Sequence, residues 1–98
     1  MSASTAAYVV GHITVKDAGK WAEYRSRVPA TLAPWGAELV FRGRLASVLA
    51  GKHAHADTVV IRFPDKQSVD AWYASPGYQA LIPLRTEAAE LDLICFEA

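Results

Sequence analysis

Tyr8-Val9-Val10-Gly11-His12-Ile13-Thr14-Val15, halted by Lys16-Asp17, decides how this chain folds. The run is mostly β-branched or aromatic, which favours a strand. Successive side chains of a strand point to opposite faces. The odd positions Val9, Gly11, Ile13 and Val15 are apolar or small, and the even positions Tyr8, Val10, His12 and Thr14 are mixed. One face therefore meets an apolar core and the other a more polar surface.

Working outward, Asp17 is placed to cap a helix, because its carboxylate can accept from the free N–H groups of a first turn. Trp21, Tyr24, Val28, Leu32 and Trp35 follow at steps of three and four, the stripe of an amphipathic helix. Pro29 inside that stripe predicts a kink or an early stop, and Gly36 a terminator. Glu38 to Arg42 reads as a strand, continued by Leu45 to Ala50, with Gly43 marking a bulge or bend between them. Gly51 to Asp57 is a connecting loop, and Thr58 to Phe63 a third strand. Pro64-Asp65 opens a second helix carrying Val69, Trp72 and Tyr73, and Ser75-Pro76 a fresh helix start. Pro83 interrupts that segment, Leu84 to Glu90 reads as a further turn, and Leu91 to Glu97 is the last strand.

The order β-α-β-β-α-β is that of an α+β, ferredoxin-like split βαβ fold. Right-handed crossovers then give a four-stranded antiparallel sheet with the helices on one face. By parity the bare face carries Tyr8, Val10, His12, Val40, Arg42, Val60, Arg62, Ile94 and Phe96. Six of these nine are apolar or aromatic, more than a monomer leaves wet. A second copy covering that face is the simplest solution, so a homodimer is expected, with the polar residues lining a chamber between the sheets.

The 98 residues fit one domain, 8–98, after a loose tail over residues 1–7. A chain of this size buries only about two-thirds of the surface exposed when unfolded, which also favours association. Ten basic residues balance ten acidic ones, so no electrostatic footprint for nucleic acid or an anionic membrane exists. One cysteine, Cys95, excludes an internal disulfide framework and fits a reducing cytoplasm, where its thiol is expected to be buried and structural. Met1 to Ala7 lacks the basic start and apolar run of a secretion signal, and no stretch approaches the ~20 apolar residues of a membrane helix.

Several segments together resemble a known family. They are Ala7 to Asp17, Tyr24 with Val28-Pro-Ala-Thr-Leu32, Arg42-Gly43, Phe63-Pro64, Ala71-Trp-Tyr-Ala-Ser-Pro-Gly-Tyr-Gln79 and Ile82-Pro-Leu-Arg85. The chain is similar, from about Tyr8 to Phe96, to the domain of unknown function 1330. That resemblance implies a dimeric α/β barrel, in a superfamily that includes cofactor-free monooxygenases, haem-degrading enzymes and lactone isomerases. It implies no particular reaction. Gly36-Ala37 stands where the family pattern has a double glycine. Arg44 stands where it has a glycine after Arg42-Gly43, adding a charge near the expected cavity.

Two catalytic candidates follow. His12 and Arg62 lie on adjacent central strands of the bare face. A histidine there can act as general base while an arginine holds a carboxylate or enolate. Set against that is a satisfied interface histidine and an arginine paired across the dimer. The ligand-binding candidates are Tyr24, Arg42, Trp72, Tyr73, Ser75, Tyr78 and Arg85, an aromatic wall with an arginine at its mouth. The plainer account has Trp72 and Tyr73 packing on the sheet, Ser75 capping and Arg85 on helix-end carbonyls. His53-x-His55 with Asp57 offers metal-ligand residue types, but reads as a solvated loop, so no metal or other cofactor is expected.

No nucleophile elbow, phosphate loop or H-E-x-x-H is present. Three functions remain. The first is a small-molecule binder or enzyme with a pocket between sheet and helices, using cofactor-free proton-transfer or oxygenase-type chemistry on a small oxygenated or aromatic acid. The second is a non-catalytic homodimeric module with a structural or regulatory role. The third, which the resemblance implies, is haem binding with His12 as axial ligand.

Overall fold

The computed structural model describes residues 5–98. Strand β1, Ala7–Val15, leads into helix α1, Ala18–Leu32, a 3₁₀ turn over Ala33–Trp35, and strands β2, Glu38–Arg44, and β3, Asp57–Phe63. Helices α2, Lys66–Ala74, α3, Pro76–Gln79, and α4, Ile82–Ala88, precede strand β4, Ala89–Glu97. The four strands form one antiparallel sheet in the order β2-β3-β1-β4. This is the expected ferredoxin-like α+β arrangement.

Local chemistry sets each boundary. The Asp17 carboxylate accepts from the Lys20 N–H at 3.0 Å, and that of Asp65 from the Ser68 N–H at 2.7 Å, capping α1 and α2. Pro29 does not stop α1. It removes the donor to the Arg25 carbonyl, yet the helix runs on to Leu32 and closes through the 3₁₀ turn at Gly36, whose φ of 67° suits glycine. Pro83 begins α4 rather than interrupting a helix. Ala7, expected in the tail, already belongs to β1, and Ala6 accepts from the Ala98 N–H. Residues 1–4 of that tail lie outside the described residues.

Odd residues of β1 and β3 turn inward under the helices. Ile13, Phe63, Trp72 and Tyr78 are fully buried there, with Val9, Val59, Ile61 and Val69 around them. Gly11 lies in the same layer, where an added Cβ would sit 2.8 Å from Val59 Cγ1.

Strand β2 departs from simple alternation. Leu39 stands opposite Ile61, but Phe41, not Val40, stands opposite Val60. Val40 is the extra residue of a β-bulge, so every later side chain of β2 changes face. Phe41 therefore joins the bare face, and Arg42, opposite the inward Val59, turns to the helix side. This corrects the placement of Arg42 on the bare face. The strand then ends at Arg44, so Leu45 to Ala50 is no continuation of it. Gly43 is an ordinary ladder residue opposite Thr58.

The bare face is partly exposed in the single chain: Phe41, Ile94 and Phe96 are 50%, 43% and 53% exposed. One end of it is roofed by the loop after β2. His55 of that loop bonds to Thr14 and Asp92, both bare-face residues, and the Ala56 N–H donates to the Ile13 carbonyl. No helix among the described residues is long and apolar enough to cross a membrane.

Candidate functional site

Between sheet and helices the buried aromatics carry polar ends, and each end is satisfied. Trp72, 2% exposed, donates from Nε1 to Thr31 Oγ1 at 3.1 Å. The hydroxyls of Tyr24 and Tyr78 share a 2.7 Å hydrogen bond. Arg85 Nη1 donates to Tyr78 Oη at 3.0 Å and, more weakly, to Tyr73 Oη at 3.4 Å. Its guanidinium lies 5.9 Å from the Tyr78 ring centre. Burial, and then the neighbouring Tyr78, push the Tyr24 hydroxyl well above its ordinary value, so it stays protonated. Burial works against the charge on Arg85, but the tyrosine hydrogen bonds outweigh it and its pKa rises.

Beside this chain of hydroxyls a cleft of about 530 Å³ opens between α2 and β4. Trp72, Tyr73 and Arg85 line one wall, and Leu91, Leu93 and Cys95 the other. Cys95 has inward parity, but the cleft between α2 and β4 leaves its thiol exposed rather than buried as expected. Partial burial nonetheless raises its pKa against the lowering effect of Lys66, which leaves it a poor nucleophile.

The nine sequence candidates separate into distinct places. Trp72, Tyr73, Tyr78 and Arg85 come together at the cleft, with Tyr24 behind them. Ser75 does not reach the cleft. Its hydroxyl donates to the Trp72 carbonyl at 2.6 Å and accepts from the Tyr78 N–H, which fixes the junction of α2 and α3. Arg42 faces α1 across the sheet, near Arg25 and Trp21. His12 and Arg62 share the bare face, but His12 stands opposite Thr58 and Arg62 opposite Tyr8. Four residues of strand, roughly 13 Å, separate those positions.

His12 has other company, which sequence reading missed. Its ring lies 5.0 Å from that of His53 and 6.4 Å from that of His55. Its Nδ1 shares a 3.1 Å hydrogen bond with Thr58 Oγ1. His55 is held at both nitrogens, Nδ1 by Thr14 Oγ1 at 2.9 Å and Nε2 by Asp92 Oδ2 at 2.8 Å. Asp57 turns to the opposite face, beside Arg44. Among the described residues no group of three or more His, Cys, Asp or Glu side chains is placed to hold a metal ion. His55, Asp92 and Arg85 also border a second open groove of about 510 Å³ along β4, continuous with the first at Arg85, Leu91 and Asp92. Only the alternation of β4 hinted that Asp92 would meet the histidine loop.

Solved structures share this fold. A protein of unknown function from Rhodopseudomonas palustris, RPA0582, is 14% identical, with a TM-score of 0.83 over 97% of this chain and 83% of that one. SnoaB from Streptomyces nogalater, a cofactor-independent oxygenase, is 18% identical, with a TM-score of 0.69 over 97% and 94%. A dimeric ferredoxin-like protein of unknown function from Jannaschia sp. CCS1 is 14% identical, with a TM-score of 0.74 over 95% and 99%. At these identities the likeness establishes the fold alone. A comparison with curated proteins finds no match. The pattern of the domain of unknown function DUF1330 matches residues 6–98, nearly the whole sequence, and the chain belongs to that family.

Proposed function

We propose that this protein binds a small oxygenated or aromatic acid in the cleft between α2 and β4, and that it works as a homodimer joined through the bare sheet faces. The observation that carries the binding site is Arg85. It is only partly exposed and held by two tyrosine hydroxyls, and among the described residues no carboxylate oxygen lies within 4.0 Å of it. A guanidinium fixed in place and lacking a counter-ion suits an incoming carboxylate. Trp72, Tyr73 and Leu93 supply the apolar wall for the rest of such a ligand.

Calorimetric titration with 4-hydroxybenzoate tests the reading. Saturable binding is expected, weakened about tenfold or more in Arg85→Gln, the loss of one charge-assisted contact. Absence of binding, or an unchanged affinity in Arg85→Gln, overturns it. The dimer is supported by the exposure of Phe41, Ile94 and Phe96 and by the dimeric neighbour of the same fold.

A second reading, cofactor-free proton transfer or oxygenase-type chemistry, has one observation in its favour. The His55 imidazole is oriented by Asp92 on the groove that Arg85 also borders. A base and an anion holder on one groove is what proton abstraction beside a carbonyl requires, with the substrate displacing Thr14 Oγ1 from His55 Nδ1 to free the basic nitrogen. SnoaB, of like fold, is a cofactor-independent oxygenase.

A further inference from the structure

The bulge that turns Arg42 inward builds a second site, at the opposite end of the seam from Arg85. A cleft of about 290 Å³ opens there between α1 and the last residues of β2. Arg25 and Trp21 line it from α1, Arg42 and Arg44 from β2, and Asp57 and Thr58 from β3. Among the described residues no carboxylate oxygen lies within 4.0 Å of any of the three guanidinium groups. Asp57, the one carboxylate of the cleft, faces Arg44 across the ladder. Three cations against one anion leave a surplus of two positive charges.

Burial, and next the charge of Arg25, lower the pKa of Arg42. All three arginines are exposed, so water screens their mutual repulsion, and an anion bound among them completes the set. The seam behind the cleft, reached past Ile13, Trp21, Arg25 and Arg42, has only about 30 Å³ free, room for about one water molecule. A ligand therefore stays in the outer cleft and does not run into the core.

We propose that the Arg25–Arg42–Arg44 cleft binds a small dianion, a phosphate monoester or a dicarboxylate, independently of the Arg85 site. Two negative charges match the surplus, and forked guanidinium donors suit the oxygens of either group. The indole of Trp21 forms the apolar side of the cleft.

The test titrates the full-length protein with phenyl phosphate, succinate and acetate, following binding by calorimetry and the thermal midpoint by scanning fluorimetry. At least one dianion is expected to bind about tenfold more tightly than acetate, with affinity falling as salt is raised. Preference for phenyl phosphate or for succinate identifies the ligand group. Arg42→Gln and Arg25→Gln are each expected to weaken the dianion about tenfold. Arg85→Gln is expected to leave it unchanged, which separates this site from the first. In the absence of ligand, Arg25→Gln should keep or raise the thermal midpoint, because it relieves repulsion. Equal affinity for acetate and both dianions, no binding of either dianion, or wild-type affinity in both arginine variants overturns the proposal.

Discussion

Replacing Gly11 by alanine probes the layer between sheet and helices, on which both clefts depend. The added Cβ would stand 2.8 Å from Val59 Cγ1, 3.2 Å from Leu93 Cδ2 and 3.6 Å from Leu91 Cδ1. Leu93 can turn its terminal methyl away, but the β-branched Val59 is stiff at χ1 on a central strand. Overpacking of this kind costs about 1–3 kcal/mol, offset by roughly 0.4–1 kcal/mol from the stiffer unfolded chain, for a net loss near 1–2 kcal/mol. In a domain of this length that lowers the thermal midpoint by roughly 5–15 °C. Urea melts of Gly11→Ala, Val59→Ala and the double variant complete a cycle. Val59→Ala should cost less in the Gly11→Ala background than in the wild type, with a coupling of at least about 0.5 kcal/mol. A Gly11→Ala protein as stable as the wild type, or strictly additive losses, would refute the close approach inferred here.

Three further outcomes are expected. Tyr78→Phe orphans the buried Tyr24 hydroxyl and removes the Arg85 acceptor, so chemical denaturation should show a loss of about 1–3 kcal/mol. The raised pKa of Tyr24 means that unfolding releases a proton above the ordinary tyrosine value of about 10. Stability is therefore complete below that pH and declines as pH rises beyond it, a trend that melts between pH 8 and 11 should show and that Tyr24→Phe should flatten. Phe96→Asp places a charge on the bare face and should convert a dimer to a monomer by light scattering, while a dimeric variant would remove that face from the interface.

Much of the fold could be read from alternation alone, since β1 and β3 carry apolar odd residues and lie at the centre of the sheet, where both neighbours enforce register. The caps at Asp17, Asp65 and Ser75 were equally legible, because each depends on a carboxylate or hydroxyl acting within one turn. Strand β2 was not. It is an edge strand with apolar residues at both parities, Leu39, Val40 and Phe41, so nothing local says which of them is the extra one. The site suffered accordingly. Trp72, Tyr73, Tyr78 and Arg85 sit within one short helical stretch and were found together. Arg42 was assigned the wrong face, and His12 was linked to Arg62 rather than to a loop more than forty residues away. Contacts made by a loop folding back carry no periodic signature.

The extra residue at position 40 makes the faces of the carboxyl-terminal half of β2 depend on where the strand slips rather than on its side chains. Removing Val40 alone would leave Leu39, Phe41 and Arg42 consecutive opposite Ile61, Val60 and Val59, so each keeps its face, whereas smoothing the ladder with Val40 kept would turn Phe41 inward and Arg42 outward. A one-codon deletion at this position thus spares the arginine cleft, and a one-residue slip of the strand is what empties it.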